Sequence, residues 1–172
     1  MIECFFIAVA AIIILTAIFL KIRGEEKVVP HLESRSAWAV ENKDSKSMTL
    51  STVIEFRNEG KQSAMIVDAI CHPQLPFEQY DGFDVLGKAE KFGVPREDNY
   101  FEALVLEHQE SVKLVAKVTL TARKNLSLKE AANQMPDMAV EFLYREVGRN
   151  PMRWSMLRIF LNSDEVKKLA GD

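Results

Sequence analysis

The sequence predicts a mainly β protein, an antiparallel two-sheet sandwich of seven to eight strands with two short helices, carried behind one N-terminal transmembrane helix. Three observations predict it. An uncharged apolar run of 17 residues, 4–20, stands near the start of the chain. Beyond it, apolar and polar residues alternate with period two, the spacing at which strand side chains return to the same face. Only one helical pattern lies between strands, at 128–135, whereas a parallel sheet needs a helix between most of them. The implied division is an anchor at 1–23, a linker at 24–36 and a sandwich domain at 37–172.

The anchor comes first. Ile2, Phe5, Ile7, Val9, Ile12, Leu15, Ile18 and Phe19 are interspersed only with other apolar or small residues and Thr16, so no polar stripe runs along the helix. About 20 residues at 1.5 Å rise cross a hydrocarbon core of ~30 Å, so contact with membrane lipid is expected through residues 2–22. A cleaved signal peptide would have a basic start and a small-residue cleavage site. This chain has Glu3 at its start and passes from Phe19-Leu20 directly to Lys21 and Arg23. Lys21, Arg23 and Lys27 all follow the span, which places the domain on the cytoplasmic side of a single-pass protein.

The domain follows. Residues 28–36 contain Pro30 and no periodicity, the pattern of a linker. A strand at 37–42 carries Trp38 and Val40. The clearest alternations are Met48, Leu50, Thr52, Ile54 and Phe56, and Val112, Leu114, Ala116, Val118 and Leu120. Asn58-Glu59-Gly60-Lys61 reads as a tight turn in which Gly60 takes a positive φ, leading to a strand at 64–72. There Cys71 falls in phase with Met65, Val67 and Ala69. Further strands are expected at 83–86, 101–107, 138–147 and 152–161. Ser127-Leu128-Lys129-Glu130 is a capping box opening a helix that stops before Pro136. Ser163 caps a second helix, with Asp164 and Glu165 in its first turn, Lys167 and Lys168 in its last, and Gly171 beyond.

The run Val53-Ile54-Glu55-Phe56-Arg57-Asn58-Glu59-Gly60 leads into Ala64-Met65-Ile66-Val67. It resembles the strand, Asn-x-Gly, strand passage of immunoglobulin-like and fibronectin type III-like sandwiches. An anchor ahead of such a passage also resembles the membrane-anchored late-embryogenesis-abundant type 2 (water-stress) proteins. The resemblance implies an immunoglobulin-like β-sandwich. It covers some 15 residues, and the chain departs from true immunoglobulin domains. Cys71 is the domain's one cysteine, so no inter-sheet disulfide forms, and Glu141 stands where a tyrosine corner would place Tyr.

Composition excludes several functions. Beyond residue 27, 145 residues carry 19 basic and 22 acidic side chains, which argues against a nucleic-acid surface. His31, His72 and His108 lack zinc-ligand spacing, the loop acids Glu78, Asp81, Asp84, Glu97 and Asp98 form no EF-hand, and phosphate and dinucleotide fingerprints are missing. Cys71 and His72 are neighbours on a strand, so they point to opposite faces and make no nucleophile–base pair. No catalytic residue, metal or cofactor is therefore expected. The remaining feature is the segment 73–99, rich in proline, glycine and aromatic residues. Its rings, Phe77, Tyr80, Phe83 and Phe92, either plug one end of the sandwich or serve as contacts for a protein partner, in which case the turn at Asp81-Gly82 pushes Tyr80 and Phe83 outward. The expected function is that of a membrane-anchored, non-catalytic interaction or accessory protein. Alternatives are a filament or secretion-apparatus subunit, since Glu3 heading an apolar helix ahead of a β domain is similar to a pilin, and an enzyme whose site has no sequence signature.

Overall fold

The structure, a computed structural model, describes residues 2–98 and 100–171, with side chains from residue 5 onward; Asn99 and the side chains of Glu3 and Cys4 lie outside the described residues. Helix α1, Ile2–Arg23, leads into nine strands. These are β1 (Val28–His31), β2 (Ala39–Lys43), β3 (Ser47–Asn58), β4 (Ala64–Gln74), β5 (Phe83–Lys91), β6 (Leu104–Leu106), β7 (Ser111–Ala122), β8 (Met138–Val147) and β9 (Arg153–Leu161). Helix α2 (Leu128–Gln134) joins β7 to β8, and α3 (Ser163–Gly171) follows β9.

Two antiparallel sheets form a sandwich. One runs β1-β3-β7-β5, with β2 sharing the β3 edge that β1 occupies; the other runs β6-β4-β8-β9. Relabelled A, B, E, D and C, F, G, these neighbours are those of an immunoglobulin-like sandwich, with β6 added beside C. The long alternating strands explain the centre of the first sheet. Met48↔Leu120, Leu50↔Val118 and Ile54↔Leu114 are register partners, and all six side chains are buried. Phe56 bridges to the second sheet: its ring lies 5.2 Å from that of Tyr144, edge to face, and 5.6 Å from that of Phe142. Fully burying one such side chain contributes roughly 1.5–3 kcal/mol, so this cluster is a main tie between the sheets.

Several expectations are corrected. Residues 28–31 are not linker but strand β1, because Val28 is buried and the segment pairs with 55–58 of β3 despite Pro30. Pro30 sits on an edge strand, where its missing N–H is tolerated. The turn at 58–61 is an arch between the two sheets, and Gly60 does not have a positive φ. What Gly60 supplies is space: a Cβ there would stand 2.4 Å from the Glu25 carbonyl oxygen and the Lys27 nitrogen. The phase of β4 also changes along its length. Asp68, at φ 50°, forms a bulge between Val67 and Ile70, so Ala64 and Ile66 face inward before it and Ala69 and Cys71 after it. Met65 and Val67 therefore lie on the opposite face from Cys71. Trp38 is buried just ahead of β2 and donates its indole N–H to the Phe160 carbonyl, while Val40 faces out. Helix α3 takes Ser163 into its first turn.

The capping box of α2 forms as written in the sequence. Ser127 Oγ accepts from the Glu130 N–H, and the Glu130 carboxylate accepts from the Ser127 N–H at 2.8 Å. Helices α2 and α3 pack together at the end of the sandwich where β7 and β9 finish and β8 begins, burying Leu128, Ala131, Ala132, Val166 and Ala170.

The opposite end clasps α1. Asn58 is the hub there: its Oδ1 accepts from the Lys27 and Gly60 N–H groups, and its Nδ2 donates to the carbonyls of Gln62 and Leu106. Carbonyls at and just beyond the end of α1, where helical partners run out, are taken by the domain. Gln62 donates to Arg23 O at 2.9 Å, Arg149 to Leu20 O and Gly24 O, and Lys61 to Ile22 O. Glu26 is buried beneath the β8–β9 turn and accepts from the Arg149 and Asn150 N–H groups, each at 3.0 Å. Burial acts to raise its carboxyl pKa, and the backbone hydrogen bonds outweigh it and hold the group below the ordinary glutamate value. Helix α1 is thus joined to the sandwich by side chains as well as by the chain. No residue of the Phe5–Arg23 stretch is buried by the protein, and the stretch is long and apolar enough to cross a membrane.

Candidate interaction surface

The four aromatic residues of the 73–99 segment do not gather into one surface. The segment is not a single long loop, because its middle is the nine-residue strand β5. Phe83 opens that strand and is 0 % exposed, and Tyr80 is 9 % exposed. Their rings meet edge to face at 6.2 Å, and the Tyr80 hydroxyl donates to Ala131 O of α2 at 2.6 Å. Both rings cap the sandwich, so of the two readings of Tyr80 and Phe83 the outward, partner-contacting one is excluded and the capping one stands. The cause is the apolar underside of α2, which the rings fill. Phe77 and Phe92 are exposed, at 49 % and 55 %, but they flank opposite ends of β5, about 30 Å of strand apart.

Cys71 and His72 do not meet either. Cys71 is buried against the edge of β5, where Gly87 approaches so closely that a Cβ would lie 2.1 Å from Cys71 O. Burial pushes its thiol up to about 12 in spite of a hydrogen bond from the Lys88 backbone, so it carries no thiolate at neutral pH. His72 points to the outer face.

On the outer face of the five-stranded sheet lies an ionic cluster. Glu90 is buried, and its two oxygens accept from Lys88 and Lys117, each at 2.7 Å; Lys117 also reaches Glu41 at 2.8 Å. Burial acts to raise the Glu90 carboxyl pKa, and Lys117 and Lys88 outweigh it and hold the group below its ordinary value. Each charge here is already matched, so the cluster is closed.

The outer face of the four-stranded sheet differs. Register places its outward side chains in rows across β9, β8 and β4: Trp154, Arg145 and Val67; Met156, Leu143 and Ile70; Arg158, Glu141 and His72; Phe160, Ala139 and Gln74. Trp154, Met156, Phe160 and Ile70 are each at least half exposed, and Tyr100 and Val105 continue the face past β4. The Arg145 guanidinium stacks on the Trp154 ring, 4.6 Å from its centroid, and pairs with Asp68 at 3.0 Å. Glu141 accepts from Arg158 at 2.5 Å and from Gln74 at 2.6 Å. Trp, Tyr and Arg beside exposed aliphatic residues form the composition of interface centres; the apolar side chains gather at the Trp154 and Met156 rows, and the Arg158, Glu141 and His72 row separates them from Phe160. A signal for it stands in the sequence. In 153–161 Trp154, Met156 and Phe160 alternate with Leu157, Ile159 and Leu161, so the strand is apolar on both faces although one side is not covered.

No family model matches the chain, and no curated protein does. Among solved structures, the ApaA protein of Bordetella pertussis is similar at 12 % identity with a TM-score of 0.48, over 80 % of this chain and 94 % of that one. The GAE domain of GGA2p from Saccharomyces cerevisiae is similar at 7 % identity with a TM-score of 0.36, over 80 % of this chain and 98 % of that one. The GAE domain of yeast GGA1 gives 13 % identity and a TM-score of 0.35, over 72 % and 87 %.

Proposed function

We propose that this chain is a membrane-anchored, non-catalytic interaction protein that holds a β-sandwich at the bilayer and presents the outer face of its four-stranded sheet to a protein partner. The observation that carries the reading is the exposure of Trp154, Met156 and Phe160 along β9, on a sheet face that no element of the described chain covers. The apolar helix, bare on every side, supports the anchor. Confinement by one helix raises the local concentration of the domain near a membrane partner, so a modest face suffices for association. Lys21, Arg23 and Lys27 at the clasped end favour a cytoplasmic sandwich.

Carbonate extraction of membranes holding the full chain tests the anchor: the chain stays in the pellet. Protease added to sealed vesicles degrades the domain only when it lies outside, which decides the side. A photo-reactive residue at position 105 cross-links to partner protein, and the change Trp154→Glu with Phe160→Glu abolishes the cross-link while melting stays near wild type. Unchanged cross-linking in that variant would overturn the assignment of the face.

A further inference from the structure

We infer that the end of the sandwich that clasps α1 binds the headgroup of an anionic phospholipid in a collar of four cations, Lys21, Arg23, Lys61 and Arg149. The inference rests on the reading of α1 as a membrane anchor.

The collar follows from helix geometry. Successive helical residues turn by about 100° and rise by about 1.5 Å, so the last four positions of α1 complete most of one circuit. Lys21 and Arg23 carry charge on two sides of that circuit. The domain supplies the other two. Arg149, in the β8–β9 turn, bonds to Leu20 O at 3.2 Å and to Gly24 O at 3.3 Å, alongside the last turn of the helix. Lys61, in the arch between the sheets, reaches Ile22 O at 3.4 Å, and Ile22 lies about 200° round from Leu20. Cations therefore stand on all sides of the helix in a layer about 6 Å thick, from Leu20 to Gly24.

Depth then selects the ligand. The uncharged run ends at Leu20, so with α1 across the bilayer this layer lies where the hydrocarbon gives way to headgroups. Helix side chains lean toward the helix N-terminus, which here is toward the lipid. The Arg23 guanidinium accordingly lies 5.4 Å from the centroid of the Phe19 ring, one turn nearer the hydrocarbon. Arg149 and Lys61 are fixed at the same level by the carbonyls they hold. Phosphate is the anion every leaflet offers at this depth, and an acidic protein would have to enter the headgroup layer to replace it.

Charge completes the argument. All four cations are exposed, and among the described residues none is paired with a carboxylate. The neighbouring acids are engaged elsewhere: Glu59 by Lys27, Glu26 by backbone N–H groups, Glu107 by the Ser63 hydroxyl and Glu110 by the Glu107 N–H. Glu25 is the one exposed acid within 21–25, against four cations. The outer face of the four-stranded sheet differs, since Asp68 and Glu141 already match Arg145 and Arg158 there. The collar also keeps donors to spare. Arg149 spends one guanidinium nitrogen on both carbonyls, and Lys61 one ammonium hydrogen on Ile22 O. A headgroup of net negative charge satisfies them and brings no cation of its own, as choline would. Each lysine or arginine at an anionic surface contributes roughly fivefold in affinity.

The test reconstitutes the full chain in phosphatidylcholine vesicles containing a minor share of phosphatidylglycerol. Spin-labelled phosphatidylglycerol and spin-labelled phosphatidylcholine are compared by the fraction immobilised at the protein. Wild type prefers phosphatidylglycerol by about fivefold or more. Arg149→Gln with Lys61→Gln brings the preference below about twofold. Lys21→Gln with Arg23→Gln does the same, and it lies outside the sandwich and leaves the clasp residues in place, so domain melting stays at wild type. Lys129→Gln, exposed on α2 at the opposite end, leaves the preference unchanged. Equal association of the two lipids with wild type overturns the inference, as does a preference that survives both collar variants or falls equally in Lys129→Gln. Competition by millimolar inorganic phosphate overturns the headgroup as the source of the anion. A chain that fails to float with vesicles overturns the anchor reading itself.

Discussion

Tyr80 and Phe83 show how a residue with two plausible fates is decided by a neighbour remote in sequence. The turn at Asp81-Gly82 does not push the rings out, since a Cβ at Gly82 would lie 2.2 Å from the Tyr80 hydroxyl oxygen. The rings fold over Gly82 and fill the space beneath α2. Phe83→Ala is expected to cost roughly 3–5 kcal/mol in denaturant unfolding, as removal of a buried ring does. Tyr80→Phe keeps the ring and leaves Ala131 O without its donor, at a cost of about 1 kcal/mol. Lys117 is a second case. By alternation it is an outward lysine on β7, a site where alanine is usually neutral. Its bonds to Glu90 and Glu41 make Lys117→Ala cost roughly 1–3 kcal/mol. The pH dependence has a definite sign. Glu90 is held below its ordinary value of 4.5 when folded, so its contribution is complete above that value and is lost as pH falls through the folded one. The difference in melting temperature between wild type and Lys117→Ala should therefore narrow on acidification below about pH 4.5.

Elements were legible in proportion to how cleanly one rule governed them. Strands β3 and β7 alternate without interruption, and α2 carries a complete capping box; both are found where the sequence indicates. Asn58, the first residue of the Asn-x-Gly passage, is the hydrogen-bonding hub of the α1 clasp. The obscured elements each combine two demands. Strand β5 contains Gly87, needed for close approach to β4, and Lys88, whose ammonium is drawn to Glu90, so its alternation reads as strand only over 83–86 and not on to Lys91. Strand β1 holds Pro30 on an edge. In β4 the single added residue at Asp68 reverses the phase, and no local pattern announces it. That bulge gives a prediction for the element: Asp68→Val, β-branched at positive φ, should cost roughly 1–3 kcal/mol. Asp68→Asn keeps the conformation and should stay within about 0.5 kcal/mol, both read by thermal melting. The exposed side of β9 escaped because apolar residues on both its faces read as an ordinary buried strand.

For the whole molecule, the boundary between anchor and sandwich is the consequence to test. A chain starting at Gly24 retains Glu26 beneath the β8–β9 turn and all of β1, and should be folded once freed from the bilayer. A chain starting at Leu32 lacks both and exposes the edge of β3 that β1 covers. Its melting temperature should fall by roughly 5 °C or more, and self-association through the bared edge should appear in gel filtration.

The clasp also fixes how motion passes between lipid and protein. A flexible tether would let the sandwich tumble while its helix leans. Here Gln62, Lys61 and Arg149 grip the helix carbonyls, so on the proposed reading of α1 as a membrane anchor the sandwich is a mast stepped in the bilayer. Membrane helices lean by about 20° on average, and with strands about 30 Å long such a lean carries the far end, with α2 and α3, sideways by about 10 Å. On that reading, bilayer thickness, one of the influences on such a lean, would be a mechanical input to where the far end of the sandwich stands.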